Sequence, residues 1–263
     1  IGNHEAMNIY GDLRYVDPGE YAVFRTRNSR RMRDNFYDRD IEKRKLADPE
    51  FVANREFRQQ WEESIPLGML EHRSAWGAEG KIGSWVRQHN TVIKINRTLF
   101  LHGGISSEVL DMSITEINEQ IRLELNGGLG EEPGLSEKET GPLWYRGLAT
   151  NNEEIEKAHL ELVLATYDVD RVVIGHTPGL GTIVPRFEGR VLVIDTGLSS
   201  YYGGFRASLL LQNNEATTLQ HEQEIPIPVT KAGVLPYFER IAELEPRAKA
   251  LQIRIRNLAS PDL

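Results

Sequence analysis

Three short blocks of this sequence contain the side chains best suited to chemistry. Asn3 and His4 stand in GNHE, His102 follows the apolar run LFL, and His176 follows VIG. A glycine accompanies each block, and glycine lets the backbone turn sharply close to a bound group. Imidazole nitrogens and carboxamide oxygens suit divalent metals such as Zn, Mn and Fe. A single histidine after an apolar strand is nevertheless more often a core or surface residue than a ligand.

The order of the blocks is more informative than any one of them. GNHE (residues 2–5), LFLHGGIS (99–106) and VIGHTP (173–178) occur in the order found in the calcineurin-like metallophosphoesterases, and the chain resembles that superfamily. GPLWYRG (141–147) and IDTGLSSYYGG (194–204) resemble the Shewanella-like bacterial protein phosphatases in particular. The resemblance extends to about residue 211. It implies an α/β fold of metallophosphatase type, a double β-sandwich flanked by helices.

Two further blocks of that superfamily are absent from these 263 residues. Its members carry D-x-H and GD-x-x-DRG before GNHE, each at the end of a central strand. We therefore expect the fold to lack its first strands in this chain, and we interpret the chain as a domain truncated at its N-terminus. The alternative interpretation is a genuinely shortened protein that has lost catalysis.

The resemblance implies a role for five residues. Asn3, His102 and His176 would bind the second of two divalent metal ions (Mn, Fe or Zn) in the complete protein. His4 would protonate the leaving group, and Arg146 would bind the phosphate through its planar guanidinium. Two alternatives stay open: Asn3 could cap the helix that follows it, and Arg146 could be an ordinary surface arginine.

Other polar residues receive little or no role. Asp195 is interpreted as a strand-end residue that at most supports the site. The remaining histidines lie outside any motif and are assigned nothing; they are His72, His89, His159 and His221.

The function that the resemblance implies is metal-dependent hydrolysis of phosphate monoesters. Two metal ions lower the pKa of a bridging water and stabilise charge on the phosphoryl oxygens. The WYRG block favours a phosphoprotein substrate, with phosphate on serine, threonine or tyrosine. One alternative is a hydrolase of dinucleoside polyphosphates or other small phosphates. Another is a non-catalytic module.

Composition restricts the partners and the chemistry. The net charge of −8 argues against a nucleic-acid partner. The chain contains no cysteine, which excludes a thiol nucleophile and disulfides. No apolar run reaches the roughly 20 residues of a membrane span. We expect a cytoplasmic protein, with a periplasmic or secreted location left open.

The periodicity of the chain predicts its organisation. We expect a single domain over residues 1–263, with a helical insert at about 25–75 and a C-terminal helix at about 235–258. Asp48-Pro49 is predicted to begin a helix within the insert. Residues 91–101 predict a β-hairpin, and 126–139 a mobile loop. The other predicted helices cover 7–15, 114–125 and 153–167, and the other predicted strands cover 171–174, 181–187, 191–195, 207–212 and 216–221.

Overall fold

The computed structural model describes residues 1–128 and 130–260 and divides the chain into two compact units. One unit contains Ile1–Asn3 and the chain from Asn90 onward, and the other is His4–His89. The prediction of one domain with a helical insert is not decided by this division, because an insert can itself be compact.

The unit His4–His89 is helical. Its helices are α1 (Asn3–Tyr10, which begins in the other unit), α2 (Pro18–Val23), α3 (Ser29–Ala47), α4 (Arg55–Ser64), α5 (Met69–Trp76) and α6 (Lys81–Val86). The predicted helix start at Asp48-Pro49 is wrong, because α3 ends just before Asp48 and α4 begins after Asn54. The Asn54 side chain accepts a hydrogen bond from the Phe57 amide at 2.8 Å, and this cap fixes the start of α4.

The larger unit is built on a five-stranded sheet in the order β1-β2-β3-β5-β4. Its strands are β1 (Val92–Ile95), β2 (Thr98–Leu101), β3 (Arg171–Ile174), β4 (Val184–Arg186) and β5 (Val191–Val193). Strands β2, β3 and β5 run parallel, whereas β1 and β4 are antiparallel to their neighbours. The three parallel strands are short apolar runs, as expected where helices or a second sheet cover both faces. The predicted hairpin of β1 and β2 is confirmed.

A second, antiparallel sheet contains β6 (Ser208–Gln212), β7 (Glu215–Gln220) and β8 (Gln223–Pro226). Asn213 and Asn214, at φ of 50° and 69°, form the turn predicted between β6 and β7. Strand β8 was not predicted, because QEIP has a single residue with strong strand preference. The sandwich-type α/β architecture expected from the sequence is confirmed.

Helices complete the larger unit. They are α7 (Ile114–Leu123, followed by a π-turn at Glu124–Gly128), α8 (Gly147–Thr150), α9 (Glu153–Tyr167), α10 (Lys231–Leu244) and α11 (Lys249–Ala259). The single long C-terminal helix predicted over 235–258 is wrong. Glu245 has φ −126° and ψ 66°, because the ring of Pro246 disfavours helical geometry in the residue before it. The predicted loop 126–139 includes Leu129, which lies outside the described residues.

The main core lies between the two sheets and the C-terminal helices. Buried side chains of both sheets, among them Val173, Leu192 and Ile225, pack in one cluster with side chains of α10 and α11, among them Phe238, Ile241 and Leu251. The hydroxyl of Tyr237 donates to the Ile183 carbonyl at 2.9 Å and lies 2.6 Å from the Thr218 hydroxyl. This one side chain therefore links α10 to both sheets. None of the helices in the described ranges combines the length and apolar character of a membrane span.

A buried histidine in the helical unit generates a prediction about pH. His72 is fully buried against the rings of Tyr21, Phe24 and Trp76, and neither of its ring nitrogens has a hydrogen-bond partner among the described residues. Burial lowers the pKa of His72, because a charged imidazole loses its hydration there. As the pH falls, His72 in the unfolded chain therefore binds a proton near pH 6.5, whereas His72 in the folded protein binds one only at lower pH.

The free energy of unfolding should thus be fully retained above pH 6.5 and fall below it, by at most about 1.4 kcal/mol per pH unit, until the folded protein is protonated too. Urea unfolding of the parent and His72→Phe at pH 7.5 and 5.5 measures this, and the variant should lose less stability in acid. His89→Gln, at an exposed histidine, should behave like the parent. An equal acid loss in His72→Phe would contradict the prediction.

Candidate functional site

The sheet brings the motif histidines to one edge. His102 directly follows β2 and His176 follows β3 after one glycine. Parallel strands present their carboxyl ends at the same edge, which is where ligand sites of such sheets form. Strand pairing continues one residue beyond the strands, since the Gly175 amide donates to the His102 carbonyl at 2.8 Å. The two histidines are therefore held side by side.

Three predicted ligand residues lie together at this edge. Asn3 is buried, and its Oδ1 is 2.7 Å from Nε2 of His102. The rings of His102 and His176 have centroids 5.0 Å apart at an interplanar angle of 58°. Asn3 is the first residue of α1, so its contact with His102 lies at the start of that helix. The structure thus unites residues that are 99 and 74 positions apart along the chain.

The geometry of these donors fits a divalent metal ion. Two imidazoles that bind one ion through nitrogens ~2.1 Å away have ring centres ~5 Å apart when the bonds are nearly perpendicular, which matches His102 and His176. Two nitrogens and one oxygen also form an acceptable donor set for Zn, Mn or Fe. Within the described residues no group of three or more His, Cys, Asp or Glu side chains is placed to hold a metal. This fit therefore depends on the asparagine.

The segment Pro142–Gly147 packs directly on the loop that carries His102. The Gly103 amide donates to the Pro142 carbonyl at 2.8 Å. A Cβ at Gly103 would lie 2.9 Å from both the Pro142 oxygen and the Trp144 nitrogen, so a larger residue would force the two segments apart. The glycine noted in the sequence thus has a definite steric function.

The same segment also contacts His176. The Trp144 ring meets the His176 ring edge-on at a centroid distance of 5.6 Å. Nη1 of Arg146 donates to the His176 carbonyl at 2.8 Å and to the Thr177 hydroxyl at 3.2 Å. Arg146 is otherwise exposed. The structure therefore places Arg146 beside the predicted ligands, with further N–H groups available to a bound group.

Helix α9 supports this arrangement through two residues that received no role from the sequence. The Tyr145 hydroxyl donates to Oε1 of the buried Glu156 at 2.6 Å, and Nε2 of His159 lies 2.7 Å from the Ile105 carbonyl. Burial, followed by the hydrogen bond to Glu156, raises the pKa of Tyr145. Glu156 and His159 are three residues apart and share one helix face. That spacing is the one sequence signal that could have indicated them.

Two predicted residues are placed differently. His4 lies in the helical unit, where its exposed ring stacks on Tyr15 at a centroid distance of 5.0 Å. Asp195 follows β5, and its Oδ1 accepts a hydrogen bond from the Gly197 amide at 3.0 Å. Asp195 therefore shapes the turn after β5, which agrees with a supporting role.

An apolar cavity of about 430 Å³ also lies in the larger unit. Its lining consists of Phe100, Val173, Ile183, Ile194, Ala207, Ser208, Leu209 and Leu211. None of these side chains titrates or binds metals well, so the cavity offers no chemistry despite its size. The sheet edge with the motif histidines is the better candidate.

Known proteins are similar to this chain in sequence and in fold. The chain is 26% identical over 206 residues to Shewanella-like protein phosphatase 2 of Arabidopsis thaliana, covering 75% of this chain and 52% of the relative. The crystal structure of a cold-active protein-tyrosine phosphatase from a psychrophilic Shewanella species superimposes with a TM-score of 0.58 at 26% identity, covering 86% of this chain and 56% of that one. The chain is related to the Shewanella-like phosphatases.

A third relative is more similar in sequence and extends the relationship to fission yeast. An uncharacterised protein of Schizosaccharomyces pombe is 33% identical over 230 residues, which cover 83% of this chain and 56% of the relative. No family model matches the chain. The chain spans about half the length of the curated relatives it matches.

The contact between Tyr145 and Glu156 generates a prediction about stability. Tyr145→Phe removes the hydroxyl and leaves a buried carboxylate with one fewer donor, which typically costs about 1–3 kcal/mol. Denaturant unfolding at neutral pH should show that loss. The double variant Tyr145→Phe/Glu156→Gln should recover part of it, because the amide needs less solvation than the carboxylate. Unchanged stability of Tyr145→Phe would mean that the hydrogen bond contributes nothing.

Proposed function

We propose that this protein is a metal-dependent phosphatase that hydrolyses phosphate monoesters on proteins. One observation carries the proposal: Asn3, His102, His176 and Arg146 meet at one edge of the sheet. Three of these residues offer metal donors and the fourth offers a cation that suits phosphate. The relationship to the Shewanella-like phosphatases supports the same chemistry.

The metal would be held by Asn3 Oδ1 and by imidazole nitrogens of His102 and His176. When bound, divalent ions supply a Lewis acid for the phosphoryl oxygens and, as a pair, promote attack by water. A second ion, as the family resemblance implies, would need ligands beyond the cluster described above. The native metal is proposed to be Mn, Fe or Zn, the ions that this donor set accepts.

The side chains of this chain would perform the remaining tasks. Arg146 orients the phosphate through N–H groups other than the one that His176 engages. Water supplies the attacking oxygen, and the bond between phosphorus and the leaving oxygen breaks. His4 donates a proton to that departing oxygen. We assign this role to His4 because the family resemblance of the GNHE block implies it.

Protein substrates are favoured over small phosphates by the relatives. The Arabidopsis relative is named a protein phosphatase and the Shewanella structure is of a protein-tyrosine phosphatase. Phosphotyrosine and phosphoserine differ mainly in the size of the leaving group and in the basicity of its oxygen. Phosphoprotein is therefore the substrate class that we propose, and a phosphotyrosine peptide is the first to assay.

Separate histidine variants of the full-length protein test the division of roles. His102→Ala and His176→Ala should each lower the bound metal measured by elemental analysis, because each removes a donor. His4→Ala should retain metal and slow turnover, most strongly for aryl phosphates with basic leaving groups, where proton donation matters most. His89→Ala, at an exposed histidine without a role, should match the parent in both measurements.

Two results would contradict these assignments. Metal loss in His4→Ala equal to that in His102→Ala would make His4 a ligand instead of a proton donor. Full metal content in both His102→Ala and His176→Ala would remove the proposed metal site.

A further inference from the structure

The backbone of His176 adopts a conformation that residues other than glycine rarely adopt. Its φ is +60°, in the left-handed region. Non-glycine residues persist there only where surrounding structure holds them, and such residues concentrate at functional sites. His176 is also buried, and a hydrogen bond from the Thr177 amide to the Gly175 carbonyl at 2.6 Å closes the backbone turn around it.

A neighbouring loop makes further contacts with His176. Nη1 of Arg146 reaches the His176 carbonyl at 2.8 Å, and the Trp144 ring packs edge-on against the His176 ring. The direction of a carbonyl is fixed by the ψ angle of its residue, so a donor on that oxygen restricts the backbone of His176 directly. The intervening Tyr145 is anchored on Glu156 at 2.6 Å. The donor therefore approaches from a fixed segment.

We propose that Arg146 is a positioning residue for His176 as well as a phosphate-binding residue. This inference rests on the proposed function for its consequence, since a correctly aimed His176 is a metal ligand. One nitrogen of the guanidinium engages the carbonyl, and its other N–H groups stay available to phosphate. Lysine cannot hold both groups in one fixed plane, because its ammonium is a single point on a flexible chain.

If Arg146 served phosphate alone, its replacement would leave metal binding unchanged. If it positions His176, metal affinity falls even in the absence of phosphate. Groups that orient a metal ligand from outside typically change metal affinity by 10–100-fold. The affinity for metal alone therefore separates the two roles.

The test uses metal-free full-length protein and Co²⁺ as the probe, with affinity followed by the visible absorption of the bound ion. Arg146→Lys should weaken Co²⁺ binding by about tenfold or more, while its melting temperature stays near that of the parent. Thr177→Val removes only the longer 3.2 Å contact and should bind Co²⁺ like the parent. Parental affinity in Arg146→Lys would overturn the proposal, as would an equal loss in Thr177→Val.

A second measurement does not depend on metal. The imidazole ¹⁵N signals of His176 in metal-free protein should report one conformer in the parent and a broadened or divided population in Arg146→Lys, whereas the signals of buried His72 stay constant. An unchanged His176 signal would also overturn the proposal. If the parent binds no Co²⁺ but the His176 signal still responds to Arg146→Lys, the proposed metal-dependent function fails and the positioning contact stands.

Discussion

The close approach of the segment Pro142–Gly147 to the loop after β2 determines the geometry of the candidate site. That approach is possible only because Gly103 has no side chain, as a Cβ there would lie 2.9 Å from two backbone atoms. The segment then reaches His176 with Trp144 and Arg146. One loop thus contacts the ends of two parallel strands, and Gly103 leaves room for that contact.

Helix α9 turns this loop packing into a rigid frame. Glu156 and His159 project from one face of the helix, the first to the Tyr145 hydroxyl and the second to the Ile105 carbonyl. Each contact therefore fixes one of the two loops to the same helix. A buried carboxylate is costly unless it is hydrogen-bonded, and Glu156 also accepts from the Asn151 side chain at 2.8 Å. The polar side chains of Glu156 and His159 on α9 thus have hydrogen-bond partners, which favours a single arrangement of the site.

The sequence could predict features encoded in contiguous residues. Helix α9 covers the predicted range 153–167, and strands β1 and β2 form the hairpin predicted over residues 91–101. Two errors involved prolines. Pro49 follows the end of a helix instead of beginning one, and Pro246 separates α10 from α11. The supporting contacts of Glu156 and His159 could not be predicted, because their partners lie 11 and 54 residues away.

Within the site, the sequence indicated which residues meet but not how they are held. The family resemblance of three glycine-flanked blocks implied that Asn3, His102 and His176 meet, and the structure brings them to one sheet edge. The left-handed backbone of His176 could not be predicted from its residue type, because histidine does not indicate this conformation as glycine does. The Thr177 amide closes this turn on the Gly175 carbonyl at 2.6 Å, and Arg146, the residue expected to bind phosphate, donates to the His176 carbonyl at 2.8 Å. If Arg146 contacts both the phosphate and the backbone of the metal ligand His176, it couples phosphate binding to metal binding. The affinity for each is then expected to depend on the presence of the other.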